Sequence, residues 1–413
     1  MAVSGIQGRR LPLLHRTTGS PPEPEATVGS GVLLTLAAWL LSRVIVGAGW
    51  GAARNPFTFT PSLWTRWDSF QYLAIAAHGR TFGRCGSPGL PATPASRLLH
   101  QTLCGTAPWL PGYPWLMRAL YATGLSLPDA GLLISWSAMA TAIFLVWFGW
   151  GRDLSPGRAL LLLLLFGVFP GSVYNFAVFP TSVALACVVG AIVAATRERF
   201  LIAALLMTAA GLCYPTGWFA AAGLAVGLVL IALPLGTAAI VRRALWGLAG
   251  FGSLLVLGLH DEFAFGHANA FFLEDTQRGV GSVVSPGQAF LRLVIQQNSF
   301  VQTLIGRFSA RVLAFQAVLA VALTGAAVAV TAVAWRRQVR VASQVYPALV
   351  GITVVLALVA ATSGGAWNRS VVLAAPCVVC LRRAPLPVLC GVVAVAAVTT
   401  ALMSRAFFVG SLP

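Results

Sequence analysis

Long apolar runs separated by short polar segments constrain this chain more than any other feature. Charged residues make up only 9% of the sequence, against about 25% in soluble domains, which excludes a soluble globular enzyme. The runs are continuous rather than alternating, which disfavours a transmembrane β-barrel. Because one spanning helix needs roughly 20 apolar residues, we predict an all-α polytopic membrane protein with about 11 transmembrane helices, in a range of roughly 9–12. The predicted spans are 31–48, 128–150, 158–173, 180–196, 200–213, 217–240, 244–259, 309–334, 344–362, 370–381 and 385–404.

The distribution of arginine predicts the orientation of these spans. The chain has 27 basic and 10 acidic residues, and every basic residue is an arginine. With the N-terminus in the cytoplasm, alternating spans place every short arginine-containing loop inside, as the positive-inside rule expects. The excess positive charge is thereby assigned to membrane loops, and nucleic acid is not expected as a partner. The arginines in these loops are Arg152, Arg158, Arg197, Arg199, Arg242, Arg243, Arg336, Arg337, Arg340, Arg382 and Arg383.

The chain divides into one membrane domain and two tails. Residues 1–30 are polar and proline-rich and predict a disordered cytoplasmic tail, and the first apolar run then predicts a signal anchor. The membrane domain covers 31–404, and 405–413 form a short C-terminal tail. Two long loops, 49–127 and 260–308, fall outside the cytoplasm. Because non-membrane residues concentrate there, we expect the functional site on the extracytoplasmic face of the plasma membrane.

A single carboxylate distinguishes the first long loop. Asp68 is the only acidic residue between Ala26 and Pro128, and it lies in an aromatic-rich segment. Residues 68–78 show helical spacing and predict a short interfacial helix. Two simpler interpretations stay open here: Asp68 caps that helix, and Trp64 and Trp67 anchor the loop at the membrane interface.

The segment RWDSFQYLAIAAHGR (66–80) resembles the WD-x(3)-Y-x(2)-IA-x(2)-G signature of the PIG-V mannosyltransferase family. Four further segments, 107–120, 213–217, 265–277 and 367–376, resemble motifs of that family in the same order. The resemblance implies a GT-C-type glycosyltransferase architecture embedded in the lipid bilayer, with an outward-facing active site. It also implies a polyprenyl-phosphate-linked sugar donor, most simply mannose, and a lipid or glycan acceptor whose identity stays open.

The chemistry of such a transfer needs few protein groups. The lipid phosphate leaves as an anion, so the enzyme chiefly needs one base to accept the proton of the acceptor hydroxyl. Asp68 is the predicted base, it matches the family's catalytic aspartate, and a single displacement predicts inversion. Arg43, Arg66 and Arg369 are candidates for binding phosphate, since a guanidinium binds phosphate bidentately. Simpler interpretations stay open for each of them. Arg43 and Arg369 could snorkel to the membrane interface, and Arg66 could form an ion pair with Asp68.

Further candidates complete the predicted site. Trp67, Tyr72, Tyr113 and Gln277 are expected to contact donor or acceptor, and Gln277 matches a family glutamine. Cys85 and Cys104 share one polar loop and predict a disulfide if that loop faces an oxidising compartment. No cofactor is firmly implied; a divalent metal stays an alternative, although the outer histidines and acids match no closed ligand set. The residues considered for a metal are His78, His100, His260 and His267 together with Asp68, Asp261 and Glu262. The acids Asp261, Glu262, Glu274 and Asp275 are expected to be mostly solvated.

Some positions depart from the family pattern. Arg80, Thr181, Tyr214 and His267 stand where the family has other residues, which leaves the substrate and even the activity open. Two other classes of protein therefore remain. A lipid or solute transporter would show paired ionisable residues within its spans and two matching halves. A catalytically inactive scaffold subunit would retain the architecture without the chemistry.

Overall fold

The computed structural model describes residues 27–49, 60–90, 101–277, 299–336, 342–360 and 367–408. Most of the predicted N-terminal and C-terminal tails lie outside these residues, as do Arg337, Arg340 and His100.

Apolar helices dominate the described residues. Seven of them are long and apolar enough to cross a membrane: Val28–Ala48, Leu127–Gly151, Thr216–Leu235, Thr237–Phe265, Arg311–Arg336, Ala342–Ala360 and Leu386–Phe408. Four more are apolar but shorter: Pro156–Gly167, Thr181–Thr196, Phe200–Cys213 and Trp367–Leu381. The chain is therefore a helical multi-pass membrane protein. Each predicted span overlaps one of these helices, and the crossing of the membrane by all eleven stays a prediction.

Several of these helices contain a change of helix type or a break. Leu127–Val146 continues as a π-helix, Trp147–Gly151, and Thr216–Ala232 continues as a 3-10 turn, Leu233–Leu235. Thr237–Phe265 consists of Thr237–Ala249 and Gly252–Phe265, and the predicted span 244–259 lies within it. The remaining elements are Pro61–Trp64, Ser69–His78, Gly112–Tyr121, Ser172–Asn175, Ala270–Gln277, Ser299–Arg336, Trp367–Ser370 and Val371–Leu381.

The predicted span 158–173 ends early because its sequence stops a helix. The α-helix ends at Gly167, and Pro170 has no amide hydrogen to donate to a further turn. Gly171 then adopts a left-handed φ of 88°, and a 3-10 turn follows. A Cβ atom at Gly171 would lie 2.2 Å from the carbonyl oxygen of Asn368, so only glycine fits this contact. The turn thereby packs directly against the segment that begins at Trp367.

The predicted span 370–381 is a 3-10 helix, Val371–Leu381, rather than an α-helix. Pro376 lies inside it and removes one amide donor, which opposes a regular α-helix. Runs of this length are uncommon for 3-10 geometry. This segment is buried from Val371 to Cys380, so Cys377 and Cys380 are packed core thiols rather than an exposed pair.

The two predicted outer loops contain regular secondary structure. Helix Ser299–Arg336 begins ten residues before the predicted span at 309, whereas its part that is long and apolar enough to cross a membrane is Arg311–Arg336. In the first loop, strand Phe82–Arg84 pairs antiparallel with Leu103–Gly105. This small hairpin is an exception to the all-α prediction. Cys85 and Cys104 close it with a disulfide, the pairing that the sequence offered for an oxidising compartment.

The short arginine-containing loops contact one another at one end of the helices. Asp153 lies 3.6 Å from Arg382 and 4.0 Å from Arg383. Arg243 likewise lies 3.3 Å from Glu198. The loops predicted to share one side of the membrane are thus brought together in the folded chain.

Candidate functional site

The segment that carries Asp68 is fixed by a buried cation–aromatic stack. The guanidinium carbon of Arg43 lies 3.9 Å from the centre of the Trp64 ring and 4.0 Å from that of Trp136. The carbonyl oxygen of Trp64 accepts a hydrogen bond from the Val178 amide at 3.0 Å. Trp64 is therefore a packed residue, and its predicted role as an interface anchor is wrong.

Arg43 is fully buried, so it neither snorkels to the surface nor presents its guanidinium to a donor in this conformation. Among the described residues its three guanidinium nitrogens have no hydrogen-bond partner. The two indoles compensate part of the desolvation, because an aromatic face attracts a cation most strongly when water is excluded. Arg43 therefore stabilises the segment that carries Asp68 through its contact with Trp64.

The backbone turns sharply immediately before Asp68. Trp67 has a φ of 47°, which a residue with a bulky side chain rarely adopts. Its side chain is 37% exposed and is therefore accessible to a ligand or a lipid. The Ser69 hydroxyl accepts a hydrogen bond from the Arg66 amide at 3.1 Å and closes this turn. Helix Ser69–His78 then begins, one residue later than predicted.

Asp68 forms an ion pair with Arg369. Nη2 of Arg369 lies 2.9 Å from Oδ2 of Asp68, and the side chains are 18% and 22% exposed, respectively. Asp68 occupies the N-cap position, but its side chain makes no capping hydrogen bond. The capping interpretation is therefore wrong: the carboxylate points to a guanidinium from the other end of the chain.

Three phenols and an asparagine surround the ion pair. Tyr214 lies beside Arg369, and its hydroxyl lies 3.0 Å from Oγ of Ser370. Nδ2 of Asn368 donates to the Tyr174 hydroxyl at 3.0 Å, and Oδ1 of Asn368 accepts from the Arg369 amide at 3.0 Å. Tyr174 and Tyr72 each pack edge-on against Phe179. The side chains of Trp367–Ser370 are thus held from several directions.

The electrostatics of this cluster favour a charged pair beside neutral phenols. Burial raises the pKa of Tyr72, and the neighbouring Tyr214 and Asp68 raise it further. Burial also raises the pKa of Tyr174 and of Tyr214. For Arg369, burial lowers the pKa, but Asp68 and the phenols outweigh it, so the net pKa is raised. Arg369 therefore stays cationic, and the phenols stay hydrogen-bond donors.

Other predicted binding residues are engaged elsewhere. Arg66 does not pair with Asp68; its guanidinium faces the carbonyl oxygens of Ser62 and Phe408, each at 3.5 Å. Tyr113 is fully buried and donates to the Gly131 carbonyl at 2.8 Å, which is a structural role.

Gln277 holds the hairpin. Its Oε1 accepts from the amides of Thr102 and Leu103, both at 2.9 Å. The hairpin and the end of helix Ala270–Gln277 are thereby joined.

A second polar cluster joins the two outer loops. Arg80 forms an ion pair with Asp261, and both side chains are almost completely buried. Arg80 also donates to the Ala107 carbonyl, and Nδ1 of His260 lies 3.2 Å from its Nη1. Asp261 additionally accepts from the Phe271 amide at 3.3 Å. The expectation that Asp261 and Glu274 are solvated is wrong, because both are buried.

The remaining histidines and acids of the described ranges were candidates for a metal site. Within the described ranges, no three His, Cys, Asp or Glu side chains lie close enough together to hold a metal ion. His267 packs against Phe82 at 5.6 Å between ring centroids. Glu262 accepts from the Ala268 amide at 2.9 Å and so closes its own turn.

Sequence reasoning missed Tyr174, Asn368 and Ser370. Asn368 and Ser370 flank the predicted Arg369, so proximity in sequence was the available signal. No sequence signal pointed to Tyr174, because its hydroxyl reaches the site only through the break in the helical structure at Gly171.

Comparison with known proteins gives no further assignment, since no protein-family model matches the chain and no curated protein matches it significantly.

Proposed function

We propose that this chain is a membrane glycosyltransferase of GT-C-type architecture. It transfers a sugar, most simply mannose, from a polyprenyl-phosphate-linked donor to a hydroxyl of a lipid or glycan acceptor. The reaction takes place on the extracytoplasmic face of the plasma membrane. The observation that carries the proposal is the ion pair of Asp68 with Arg369 at 2.9 Å, partly exposed on a multi-pass helical frame. A base and a phosphate-binding cation are thereby side by side.

The proposed reaction is a single displacement at the anomeric carbon. The acceptor hydroxyl loses its proton to the Asp68 carboxylate as its oxygen forms the new glycosidic bond. The bond between the anomeric carbon and the phosphate oxygen breaks, and polyprenyl phosphate leaves with the electron pair. The configuration inverts, and the proton on Asp68 returns to water.

Arg369 has two successive partners in this scheme. Before the donor binds, its guanidinium is held by Asp68. The donor phosphate competes for the same guanidinium, since a planar guanidinium binds phosphate bidentately. Binding of the donor therefore releases the carboxylate at the moment when a base is needed. Asn368 holds the backbone of Arg369 in place during the exchange by accepting from its amide, and Tyr214 lies beside its side chain.

A transfer assay in isolated membranes tests the proposal. Radiolabelled polyprenyl-phosphate-mannose is supplied, and the wild type is compared with Asp68→Asn and Asp68→Ala. Removal of a catalytic base should lower the rate by about 100-fold or more. The labelled product then identifies the acceptor.

The matched control is Asp129→Asn, which makes the same chemical change at a half-buried acid in the first turn of another helix. Asp129→Asn should retain transfer. Equal rates in wild type and Asp68→Asn would exclude Asp68 as the base, and absence of transfer in all variants would reopen the scaffold and transporter interpretations.

A further inference from the structure

A glutamine outside the proposed site holds the turn that packs against it. Gln316 lies on helix Ser299–Arg336, and its side chain is buried. Its Oε1 accepts a hydrogen bond from the Gly171 amide at 2.8 Å, across 145 residues of sequence. Because the Gly171 amide is a donor, this bond requires the oxygen of the glutamine amide, rather than its nitrogen, to face the turn. Gln316 thereby ties the turn that begins at Gly171 to a separate helix.

The same turn holds Asn368 at two points. The Cα of Gly171 packs so closely on the Asn368 carbonyl that an added Cβ atom would lie 2.2 Å from its oxygen. The Gly171 carbonyl accepts from the Tyr174 amide at 3.1 Å, which closes the turn. The Tyr174 hydroxyl then accepts from Nδ2 of Asn368 at 3.0 Å. Both the backbone and the side chain of Asn368 therefore depend on where this turn lies.

Asn368 passes this constraint to Arg369. Its Oδ1 accepts from the Arg369 amide at 3.0 Å, and Nη2 of Arg369 lies 2.9 Å from Oδ2 of Asp68. The helix Trp367–Ser370 has only four residues. A helix this short is not stabilised by its own hydrogen bonds. The position of Arg369 therefore depends on the contacts that its neighbours make with other parts of the chain.

We propose that Gln316 is a positioning residue for Arg369. It acts through Gly171 and Asn368, which lie between the two side chains. Without the glutamine oxygen the Gly171 amide loses its partner in the interior, which favours movement of the turn toward another acceptor. Because Asn368 packs on this turn, the backbone of Arg369 moves with it. The consequence for binding of the donor phosphate rests on the proposed transferase function, whereas the placement of Arg369 does not.

Two variants of similar size separate the hydrogen bond from packing. Gln316→Met nearly preserves the volume but has no acceptor oxygen. Gln316→Glu keeps an acceptor and gives up no other hydrogen bond, since Nε2 of Gln316 has no partner among the described residues. In the membrane transfer assay, Gln316→Met should raise the KM for polyprenyl-phosphate-mannose about ten-fold, the equivalent of one lost buried hydrogen bond. Because Asp68 is untouched, kcat should stay within about two-fold. Gln316→Glu should restore most of the affinity.

Amide hydrogen exchange of the full chain in detergent measures the placement of Arg369 without turnover. The Arg369 amide is protected by Oδ1 of Asn368, so its exchange reports whether this segment stays in place. Gln316→Met should accelerate this exchange about ten-fold, and Gln316→Glu should stay near the wild type. If the wild type shows no transfer, the proposed function fails, and the exchange of this amide alone decides the positioning role.

The matched control is Thr324→Val. Thr324 is buried on the same helix, but its hydroxyl contacts Sγ of Cys377 at 3.7 Å instead of the turn. Both measurements should therefore change by no more than about two-fold. If Gln316→Met does not fold, Gln316→Asn carries the same test, because its shorter side chain withdraws the acceptor and keeps the amide. Wild-type KM and exchange in Gln316→Met, an equal change in Thr324→Val, or no recovery in Gln316→Glu would overturn the proposal.

Discussion

The buried ion pair of Arg80 and Asp261 should control how the two outer loops dock. Its side chains are 1% and 0% exposed, respectively. Removing one partner from such a pair leaves an uncompensated buried charge and costs about 3–5 kcal/mol. In Asp261→Asn, Arg80 keeps the Ala107 carbonyl, and the charge of Glu274 also stabilises its cation. We therefore expect the cost of Asp261→Asn to lie at the lower limit of this range, about 3 kcal/mol.

The effect should appear as local opening rather than as global unfolding. Amide hydrogen exchange reports such opening, because loops exchange through partial unfolding. A loss of about 3 kcal/mol raises the opening constant roughly 150-fold. The amides to follow are those of Thr81, Phe271 and Thr106, whose hydrogen bonds join or adjoin the docked loops.

A double-mutant cycle separates the pair from simple loss of packing. Arg80→Met with Asp261→Leu removes both charges of the pair, so its cost should fall below the sum of the single costs by about 1–3 kcal/mol. Arg84→Met is the matched control, because Arg84 is exposed on the adjacent strand. Its effect should stay within about 0.5 kcal/mol. Additive costs, or equal exchange in Asp261→Asn and Arg84→Met, would refute the reasoning.

Three further predictions concern stability. Cys85→Ser opens a disulfide across a sequence separation of 19 residues and should destabilise the hairpin by about 3 kcal/mol, measured by protease cleavage of the oxidised protein. Arg43→Lys replaces a planar cation held between two indoles and should cost about 1–2 kcal/mol in thermal unfolding, whereas an unchanged midpoint would contradict the stack. Burial raises the pKa of Tyr72 and Tyr214 above 10.0 in the folded protein. Their contribution to stability is therefore complete below pH 10 and falls as pH rises above it, which tyrosinate absorbance followed together with unfolding checks.

The sequence predicted the helical membrane character well because hydropathy is a local property. Each span needs only its own residues to be recognised, and a bilayer forces its backbone into internal hydrogen bonds. Boundaries failed where proline and glycine override hydropathy. Pro170 and Gly171 end one predicted span, and Pro376 lies in a segment that is not α-helical.

The site was only partly predictable because its partners come from distant parts of the chain. Asp68 was found from its isolation among arginines, but its local context suggested a helix cap. The ion pair with Arg369 overrides that local preference. The prediction that Asp261 is solvated failed for the same reason, since its partner Arg80 lies 181 residues earlier. A carboxylate in a long loop is mostly solvated unless a cation from a distant part of the chain pairs with it in the folded interior.

The departures from the PIG-V pattern fall into two structural groups. Arg80 and His267 belong to the docking of the outer loops, where one pairs with Asp261 and the other packs on Phe82. Such changes can compensate one another without altering the proposed base. Tyr214 instead lies beside Arg369, so it acts on the proposed phosphate-binding group itself. The neutral phenol of Tyr214 adds no second cation at this position, so binding of the donor phosphate in the proposed scheme depends on Arg369. Among these three departures, substrate preference should therefore depend on Tyr214 more than on the two loop positions.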